Sequence, residues 1–284
     1  MHVIHSIVIL GGDRRQNYLA GMFAESGFAV SCYQVPGYPN PDIALSDGLS
    51  RADLVVLPMP AFDSVKNIRS ADASLPLQTV LDAVRPDAVI AGGKLAPGQP
   101  LLSAYQIRCF DYAEDESLAV FNAIPSAEGA IRIAMEHTDC TLWNSHVLVI
   151  GFGRIGKALA GRLHALGADV AVSARKPADL AWIRCLGYRA EQTGIYTAGL
   201  SQYDCIFNTV PAPVLFPDHL RDIRPDACII DLASSPGGLD PSCSKDGRYI
   251  PALALPGRVA PKTAAVFIRD SILRNLTEPG GLLP

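Results

Sequence analysis

A glycine-rich turn between an apolar strand and a helix restricts the fold of this chain more than any other feature. The apolar run 147–150 leads directly into Gly151-x-Gly153-x-x-Gly156, and apolar residues then recur at helical spacing. A second apolar strand follows at residues 170–173. This succession of strand, turn, helix and strand predicts a βαβ unit of the dinucleotide-binding type.

Each glycine of the turn has its own expected role. Gly151 permits the tight turn, Gly153 lets a pyrophosphate approach the backbone, and Gly156 lets the helix lie close to the strand. The free N–H groups and positive dipole of the helix start would attract phosphates. The alternative is a Rossmann-like fold that binds no nucleotide. The expected cofactor-binding residues are Gly151, Gly153, Arg154, Ile155, Gly156, Ser173, Arg175, Lys176, Asn208, Thr209, Val210, Pro211, Asp231 and Ala233.

The end of the second strand favours NADP over NAD. NAD-specific sites usually carry Asp or Glu there to hold the ribose 2′-hydroxyl. This chain has Ser173, Ala174, Arg175 and Lys176 instead, so two cations and a hydroxyl stand where a 2′-phosphate would lie. In the alternative interpretation these cations are solvated loop charges, and NAD binds without its usual acid.

Composition narrows the class of protein. The 284 residues are 49% hydrophobic and 18% charged, which suits one large or two modest folded domains. A net charge of −4 without a basic block argues against nucleic acid as a partner, and no apolar run reaches transmembrane length. The seven scattered cysteines form no C-x-x-C pair, so we expect reduced thiols in a cytoplasmic protein. The histidines show no metal-ligand spacing, so no metal is expected.

Four segments of the first half match four segments of the second half in order, which indicates one plan used twice. The matching pairs are 6–12 with 147–151, 27–31 with 167–173, 52–58 with 203–211, and 85–93 with 224–231. Chance similarity among generic βα units is the alternative. Strands that alternate with helical stretches predict an α/β fold of two Rossmann-like domains with mainly parallel, doubly wound sheets, facing each other across a cleft.

The expected domains are residues 1–123, for substrate or partner binding, and residues 124–262, for NAD(P) binding. A linking helix over 124–139 would begin at the N-cap Ser126, with Glu128 and Arg132 paired one turn apart. A helix in the C-terminal segment 263–284 would return to complete the first domain.

Ligands of open parallel sheets bind beyond the carboxyl ends of the strands. In the first domain this rule selects Asp13, Arg14 and Gly93 for substrate binding, with only one of Arg14 and Arg15 serving the cleft. Arg258 and Lys262 would add cations, so a small dicarboxylate is the expected substrate. The candidate catalytic residues are His137, Glu128 and Lys262, with His137 and Glu128 competing as the proton acceptor.

Taken together, these segments resemble the A-subunit family of dipicolinate synthase, from spore-forming Bacillus and its relatives. The specific segments are Asp231-Leu-Ala-Ser-Ser-Pro-Gly-Gly238 and Leu255-Pro-Gly-Arg-Val-Ala-Pro-Lys-Thr-Ala264. They are joined by Gly11-Gly-Asp-x-Arg-Gln16, Ile124-Pro-Ser-Ala-Glu-Gly129 with His137-Thr-Asp139, Gly151-Phe-Gly-Arg-Ile-Gly156 and Asn208-Thr-Val-Pro211.

The resemblance implies oxidation of dihydrodipicolinate, formed from 4-hydroxy-tetrahydrodipicolinate, to pyridine-2,6-dicarboxylate, with NADP as the acceptor. It also implies sporulation, a mother-cell location and a hetero-oligomer with the flavoprotein-like B subunit of dipicolinate synthase, in which this chain itself forms a homo-oligomer. Two alternatives stay open. The chain could be a relative of alanine or 2-hydroxyacid dehydrogenases, or a non-catalytic nucleotide-binding scaffold.

Overall fold

A computed structural model describes residues 4–64, 67–70, 74–197, 199–243 and 246–277. The chain divides into two compact units, one formed by Met1–Phe121 with Ala260–Pro284 and the other by Asn122–Val259. Each unit contains one parallel sheet with helices between its strands, so the expected fold of two Rossmann-like α/β domains is confirmed. No helix within the described ranges has the length and apolar character to cross a membrane.

The elements of the first part of the chain run from the first strand to the end of a long helix. They are β1 (Ser6–Leu10), α1 (Arg14–Glu25), β2 (Ala29–Tyr33), α2 (Leu45–Arg51), β3 (Leu54–Val56), β4 (Asn67–Ile68), β5 (Leu75–Pro76), α3 (Leu77–Ala83), β6 (Val89–Gly92), α4 (Gln99–Ala104), β7 (Arg108–Asp111) and α5 (Glu116–His137).

The first unit has a five-stranded parallel sheet in the order β2-β1-β3-β6-β7. Strands β4 and β5 form a separate antiparallel pair. Because the strand order reverses between β1 and β3, the carboxyl ends of these two strands frame the crevice of this sheet.

The elements that follow α5 belong to the second unit. They are β8 (His146–Ile150), α6 (Arg154–Ala165), β9 (Asp169–Ala174), α7 (Pro177–Cys185), β10 (Arg189–Gln192), β11 (Cys205–Asn208), α8 (Pro217–Asp222), β12 (Cys228–Asp231), β13 (Tyr249–Pro251) and α9 (Leu255–Val259). Their six strands form a parallel sheet in the order β10-β9-β8-β11-β12-β13. Numbered within the unit, this is the 3-2-1-4-5-6 order of dinucleotide-binding domains, and its crevice lies between β8 and β11.

The last helix, α10 (Pro261–Thr277), packs against α1 in the first unit and buries Ala265, Ile268 and Ile272 in its core. The final part of the segment 263–284, after Thr277, lies outside the described residues.

Helix α5 begins at Glu116 rather than near residue 124. The backbone N–H groups of Ser117 and Leu118 donate to Asp115 Oδ1, so Asp115 caps this helix. The expected N-cap Ser126 instead lies inside the helix, where its hydroxyl donates to the carbonyl of Asn122. Pro125 lies inside the helix, although proline in a helix interior usually interrupts the helix.

The ion pair expected between Glu128 and Arg132 does not form. Arg132 pairs with Glu136 at 2.8 Å, whereas Glu128 lies 3.7 Å from Arg162 of α6. Arg132 has a carboxylate one turn away on either side, so helix spacing permits both pairings. Because α6 packs beside α5, Glu128 faces Arg162, and Arg132 pairs with Glu136 instead.

An equivalent set of polar contacts holds the amino ends of the central strands in both units. In the first unit, Asp53 accepts hydrogen bonds from the backbone N–H of Ser6 at 2.8 Å and from Arg85 at 3.0 Å. In the second unit, Asp204 accepts from the N–H of His146 at 2.6 Å and from Arg224 at 2.7 Å. The segments 52–58 and 85–93 therefore form the same hydrogen-bonded arrangement as the segments 203–211 and 224–231, which they match in sequence.

We predict that Asp53→Ala lowers the free energy of unfolding by about 2–4 kcal/mol, because two backbone N–H groups and the partly buried Arg85 lose their acceptor. Asp87→Ala is the matched control. Asp87 contacts the same arginine but is 58% exposed, so its loss should cost less than about 1 kcal/mol. Urea denaturation measures both values, and equal losses would contradict the assigned role of Asp53.

Candidate active site

A cavity of about 720 Å³ opens at the carboxyl ends of β8, β9 and β11 in the second unit. This is the crevice where the strand order reverses, and its volume is in the range of small-molecule sites. Its lining contains nine of the expected cofactor-binding residues, namely Gly151, Gly153, Arg154, Ile155, Arg175, Lys176, Thr209, Val210 and Pro211. The other five, Gly156, Ser173, Asn208, Asp231 and Ala233, lie behind this lining and are buried.

The three glycines of the turn have three different environments. Gly151 has a φ of +102°, which other residues rarely adopt. A Cβ at Gly156 would overlap the carbonyl oxygen of Gly151, so only glycine allows the helix to approach the strand this closely. A Cβ at Gly153 would meet no atom within 4 Å and would enter the open cavity. The turn therefore leaves space at the position where a pyrophosphate would lie.

Helix α6 begins at this turn without a side-chain cap. Gly153 is its N-cap residue and provides no side-chain acceptor for the first N–H groups of the helix. Such N–H groups, together with the helix dipole, form an anion site. This part of the cavity therefore fits the phosphates of a dinucleotide.

Two cations follow the end of β9, and the next helix contributes one carboxylate. Arg175 and Lys176 are exposed in the cavity and form no ion pair with the residues that the structure describes. Asp179, in the first turn of α7, also lines the cavity. The Ser173 hydroxyl does not face this group, because it is fully buried and lies 3.0 Å from the hydroxyl of Thr193.

A buried polar cluster holds the loops behind the cavity. One oxygen of Asp231 accepts from the side chain of Asn208 at 2.8 Å and the backbone of Ala233 at 2.9 Å. Its other oxygen accepts from the N–H of Gly238 at 2.7 Å and the hydroxyl of Tyr249 at 2.5 Å. Burial and this carboxylate both raise the pKa of Tyr249. Because its carboxylate already accepts four hydrogen bonds, Asp231 holds these loops in position and does not present a free carboxylate to the cavity.

Asn208 connects this cluster to the cavity wall. Its amide donates to the carbonyl of Val210 at 3.0 Å and accepts from the N–H of Val210 at 3.1 Å. Thr209 donates to the carbonyl of Ile150 at 2.9 Å, at the end of β8. Asn208 and Asp231 therefore act on the cofactor site through the loop 209–211.

The candidate substrate residues of the first unit lie at the carboxyl edge of its sheet. Asp13 caps α1 and binds Arg15, whose guanidinium is buried and also donates to the carbonyl of Met59. Arg14 is exposed, with its nearest polar contact the hydroxyl of Tyr18 at 3.4 Å. Gly93 is buried, and a Cβ there would lie 2.5 Å from Met59. Of the two neighbouring arginines, the structure thus brings Arg15 rather than Arg14 to this edge.

The candidate catalytic residues do not join the cavity lining. His137 ends α5, next to the connection that enters β8 at its amino end, and its Nδ1 lies 2.9 Å from the carbonyl of Ile133. The cavity lies at the opposite edge of this sheet. Glu128 faces a surface groove between α5 and α6 with Arg162. These placements give no support to either residue as the catalytic base.

Arg258 and Lys262 are exposed at the end of α9 and the start of α10, and neither forms an ion pair with a described residue. Among the described side chains, no group of three or more His, Cys, Asp or Glu converges in a way that could hold a metal.

Several residues of the cavity lining were not among the expected cofactor-binding residues. Asp179 and Thr193 belong to α7 and to the turn after β10, and both reach the cavity because parallel strands end at one edge. The apolar wall comes from a proline-rich segment after β11. These unexpected lining residues are Phe152, Ala174, Asp179, Thr193, Gly194, Ala212, Pro213, Val214 and Phe216.

The sheet order, the glycine turn and the cavity define a dehydrogenase-type domain for a nicotinamide cofactor. Residues 127–233 accordingly match the model of the D-isomer specific 2-hydroxyacid dehydrogenase NAD-binding domain. Residues 6–113 match the model of the N-terminal domain of the dipicolinate synthase A subunit. The chain therefore combines a dehydrogenase-type NAD-binding domain with a first unit that matches the dipicolinate synthase A subunit.

Full-length relatives then identify the family. The chain is 31% identical to the A subunit of dipicolinate synthase from Bacillus subtilis, with 96% of each chain covered. The crystal structure of its counterpart from Bacillus halodurans has a TM-score of 0.84 at 29% identity, and covers 98% of this chain and 100% of its own. The Bacillus subtilis structure has a TM-score of 0.82 at 30% identity, with 96% of both chains covered. This chain belongs to the A-subunit family of dipicolinate synthase.

We predict that Gly153→Val abolishes most cofactor binding while the fold is retained. Its branched side chain would fill open cavity space and touch no protein atom at Cβ. Gly161→Ala, on the outer part of the same helix, is the matched control because its Cβ would make only an ordinary contact with Tyr188. A charge-assisted phosphate contact is worth about 1.5–3 kcal/mol, so fluorescence titration with NADPH should show roughly a tenfold or larger rise in Kd for the valine variant alone. An unchanged Kd in a folded variant would reject the glycine turn as the pyrophosphate site.

Proposed function

We propose that this chain catalyses the NADP-dependent oxidation of dihydrodipicolinate to pyridine-2,6-dicarboxylate. Membership in the A-subunit family of dipicolinate synthase carries the substrate assignment. The cavity of the second unit, with its open glycine turn and uncapped helix start, supports the nicotinamide cofactor.

The choice of NADP rests on Arg175 and Lys176. Both cations line the cavity at the end of β9 and lack ion-pair partners among the described residues. A 2′-phosphate would supply the missing negative charge and accept charge-assisted hydrogen bonds. Asp179 is the feature that favours NAD, since its carboxylate could accept from ribose hydroxyls and would repel a phosphate. The preference for NADP or NAD depends on the combined charge of these three side chains.

The reaction requires a ring to be oriented and a proton to be removed. Oxidation takes two hydrogens from the dihydropyridine ring, one as a hydride and one as a proton, and gains aromatic stabilisation. A nicotinamide cofactor held at the glycine turn of the second unit would supply the hydride acceptor. The chain then supplies orientation and charge, with Arg258 and Lys262 as exposed cations for substrate carboxylates.

The family relationship extends the proposal beyond this chain. We propose that the chain acts in sporulation, in the cytoplasm of the mother cell, as one part of a complex with the B subunit of dipicolinate synthase. The relatives are the A subunits of their synthases, a name that supports a second component.

The cofactor assignment is tested by two opposite charge changes. Arg175→Asp should weaken NADP binding on the order of ten- to a hundredfold, because a charge-assisted phosphate contact is lost, and should change NAD binding little. Asp179→Asn should strengthen NADP relative to NAD. Titrations with both cofactors measure the ratio of the two Kd values. If the ratio of the two Kd values is the same in both variants and in the wild type, Arg175 and Lys176 are solvated and do not contact the cofactor.

The reaction itself is tested with the isolated chain. With NADP and 4-hydroxy-tetrahydrodipicolinate as the source of the ring, we expect NADPH and pyridine-2,6-dicarboxylate in equal amounts. L-Alanine and D-lactate serve as controls and should give no NADPH. Turnover of a linear acid would favour the alanine or 2-hydroxyacid dehydrogenase alternative. Cofactor binding without turnover, even when the B subunit is added, would favour the scaffold.

A further inference from the structure

One aromatic side chain in the wall of the 720 Å³ cavity of the second unit is left partly uncovered by the fold. Phe216 lines this cavity and is 41% exposed, whereas Val214 and Leu215, just before it in the chain, are buried. A single exposed phenylalanine on the outer surface of a protein needs no explanation, but one inside a ligand cavity offers an apolar ring to whatever binds there. Phe216 is therefore a candidate contact for the ligand of this cavity.

The backbone that leads to Phe216 is held in place from the N-terminal side. The N–H groups of Val214 and Leu215 both donate to the carbonyl of Gly238, at 2.8 and 2.9 Å. The N–H of Gly238 in turn donates to Asp231 at 2.7 Å, within the buried polar cluster behind the cavity. The segment that carries Phe216 is therefore fixed to the same cluster that holds the loop 209–211.

His219 holds Phe216 from the C-terminal side. Phe216 is the N-cap residue of α8, and its backbone N–H donates to Nδ1 of His219 at 3.2 Å. A backbone N–H can only donate, so this Nδ1 carries no proton and accepts the hydrogen bond. His219 is half-buried and is not part of the cavity lining. Its contact with a ligand is therefore indirect and goes through Phe216.

The imidazole of His219 also packs against two aromatic rings. Its centroid lies 5.8 Å from the ring of Phe216 and 5.2 Å from the ring of Tyr196, both within the range of aromatic pairs. Tyr196 is only 4% exposed, so its ring gives His219 a fixed surface to pack against. Phe216 is thus connected through His219 to a buried ring of the turn after β10.

This connection indicates which half of a dinucleotide Phe216 would meet. The turn that carries Tyr196 also contributes Thr193 to the cavity lining, and Arg175 lines the cavity after the neighbouring strand β9. Arg175 is the residue that we expect at the 2′-phosphate, which belongs to the adenosine half of NADP. Phe216 and His219 therefore adjoin the adenosine side of the cavity. The group on that side with a flat apolar face is the adenine ring.

We propose that the adenine ring of the cofactor stacks on Phe216 and that His219 is a positioning residue, which holds Phe216 through the hydrogen bond at Nδ1. This inference rests on the proposed function for the cofactor itself. Bases stack favourably on aromatic side chains whatever their hydrogen-bonding edge. Because NADP and NAD carry the same adenine, Phe216 should strengthen the binding of both, whereas Arg175 should distinguish between them.

The stacking role is tested by calorimetric titration of the full chain with NADP⁺ and with NAD⁺. Phe216→Ala removes the ring, so the Kd of both cofactors should rise roughly tenfold or more. Phe216→Tyr keeps the ring face and is the matched control, with both Kd values within about twofold of the wild type. Adenosine 2′,5′-bisphosphate carries the adenine but no nicotinamide, and it should lose affinity for Phe216→Ala by the same factor as NADP⁺.

The positioning role is tested by three further variants. His219→Ala should raise both Kd values several-fold, and His219→Asn should recover most of this loss, because its Oδ1 can accept from the N–H of Phe216. In the double variant with Phe216→Ala, His219→Ala should add no further loss, since His219 acts only through that ring. Arg221→Gln is the surface control, because Arg221 is a 78% exposed side chain of the same helix. Circular dichroism establishes that each variant is folded.

The outcomes separate this inference from the proposed function. If the wild-type chain binds NADP⁺ and Phe216→Ala binds it equally well, the stacking role is rejected and the proposed function stands. A loss that is confined to NADP⁺, or that spares adenosine 2′,5′-bisphosphate, also rejects the adenine as the group on Phe216. Additive losses in the double variant, or no recovery in His219→Asn, reject the positioning role of His219. If the wild-type chain binds neither cofactor, the proposed function fails, and this inference fails with it.

Discussion

At the amino edge of each sheet, an aspartate accepts hydrogen bonds from the neighbouring strand and from an arginine, and these bonds fix the strand register. Asp53 with Arg85 and Asp204 with Arg224 perform this role in the two units. In a parallel sheet, a slip of one residue would turn every side chain to the other face. Because the amino ends are held, the loops after the carboxyl ends occupy defined positions. Both candidate sites are built from those loops.

Buried polar groups differ between the two units. In the second unit, Asp231 accepts from four donors and the Asn208 amide is bonded to Val210 and Asp231, so these side chains hold the loops behind the cavity in place. The groups that remain available there are the uncapped helix start and the cations after β9. In the first unit, Gln16 and Ser70 keep unpaired polar atoms although these atoms are buried.

Local sequence signals predicted the strands and the glycine turn well, and helix starts less well. The strands β8 and β9 with the turn between them were predicted because an apolar run, a glycine pattern and a helical period are all short-range properties. The start of α5 was missed because Ser126 is a common type of N-cap residue and Pro125 usually marks a helix boundary, whereas Asp115 provides the actual cap. The pairing of Glu128 depended on α6, which lies beside α5 only in the folded unit.

By itself, the sequence determined the two-unit α/β plan, the position of the glycine turn and the family, since all three depend on patterns within short segments. The tertiary structure alone decided which side chains reach each site. Ser173 is fully buried with its hydroxyl against that of Thr193, Asp179 enters the cavity from the next helix, and Arg15 rather than Arg14 is buried. The direction of a side chain depends on the packing of elements distant in sequence. The unpaired atoms of Gln16 and Ser70 become visible only when every other donor has been matched with its acceptor in three dimensions.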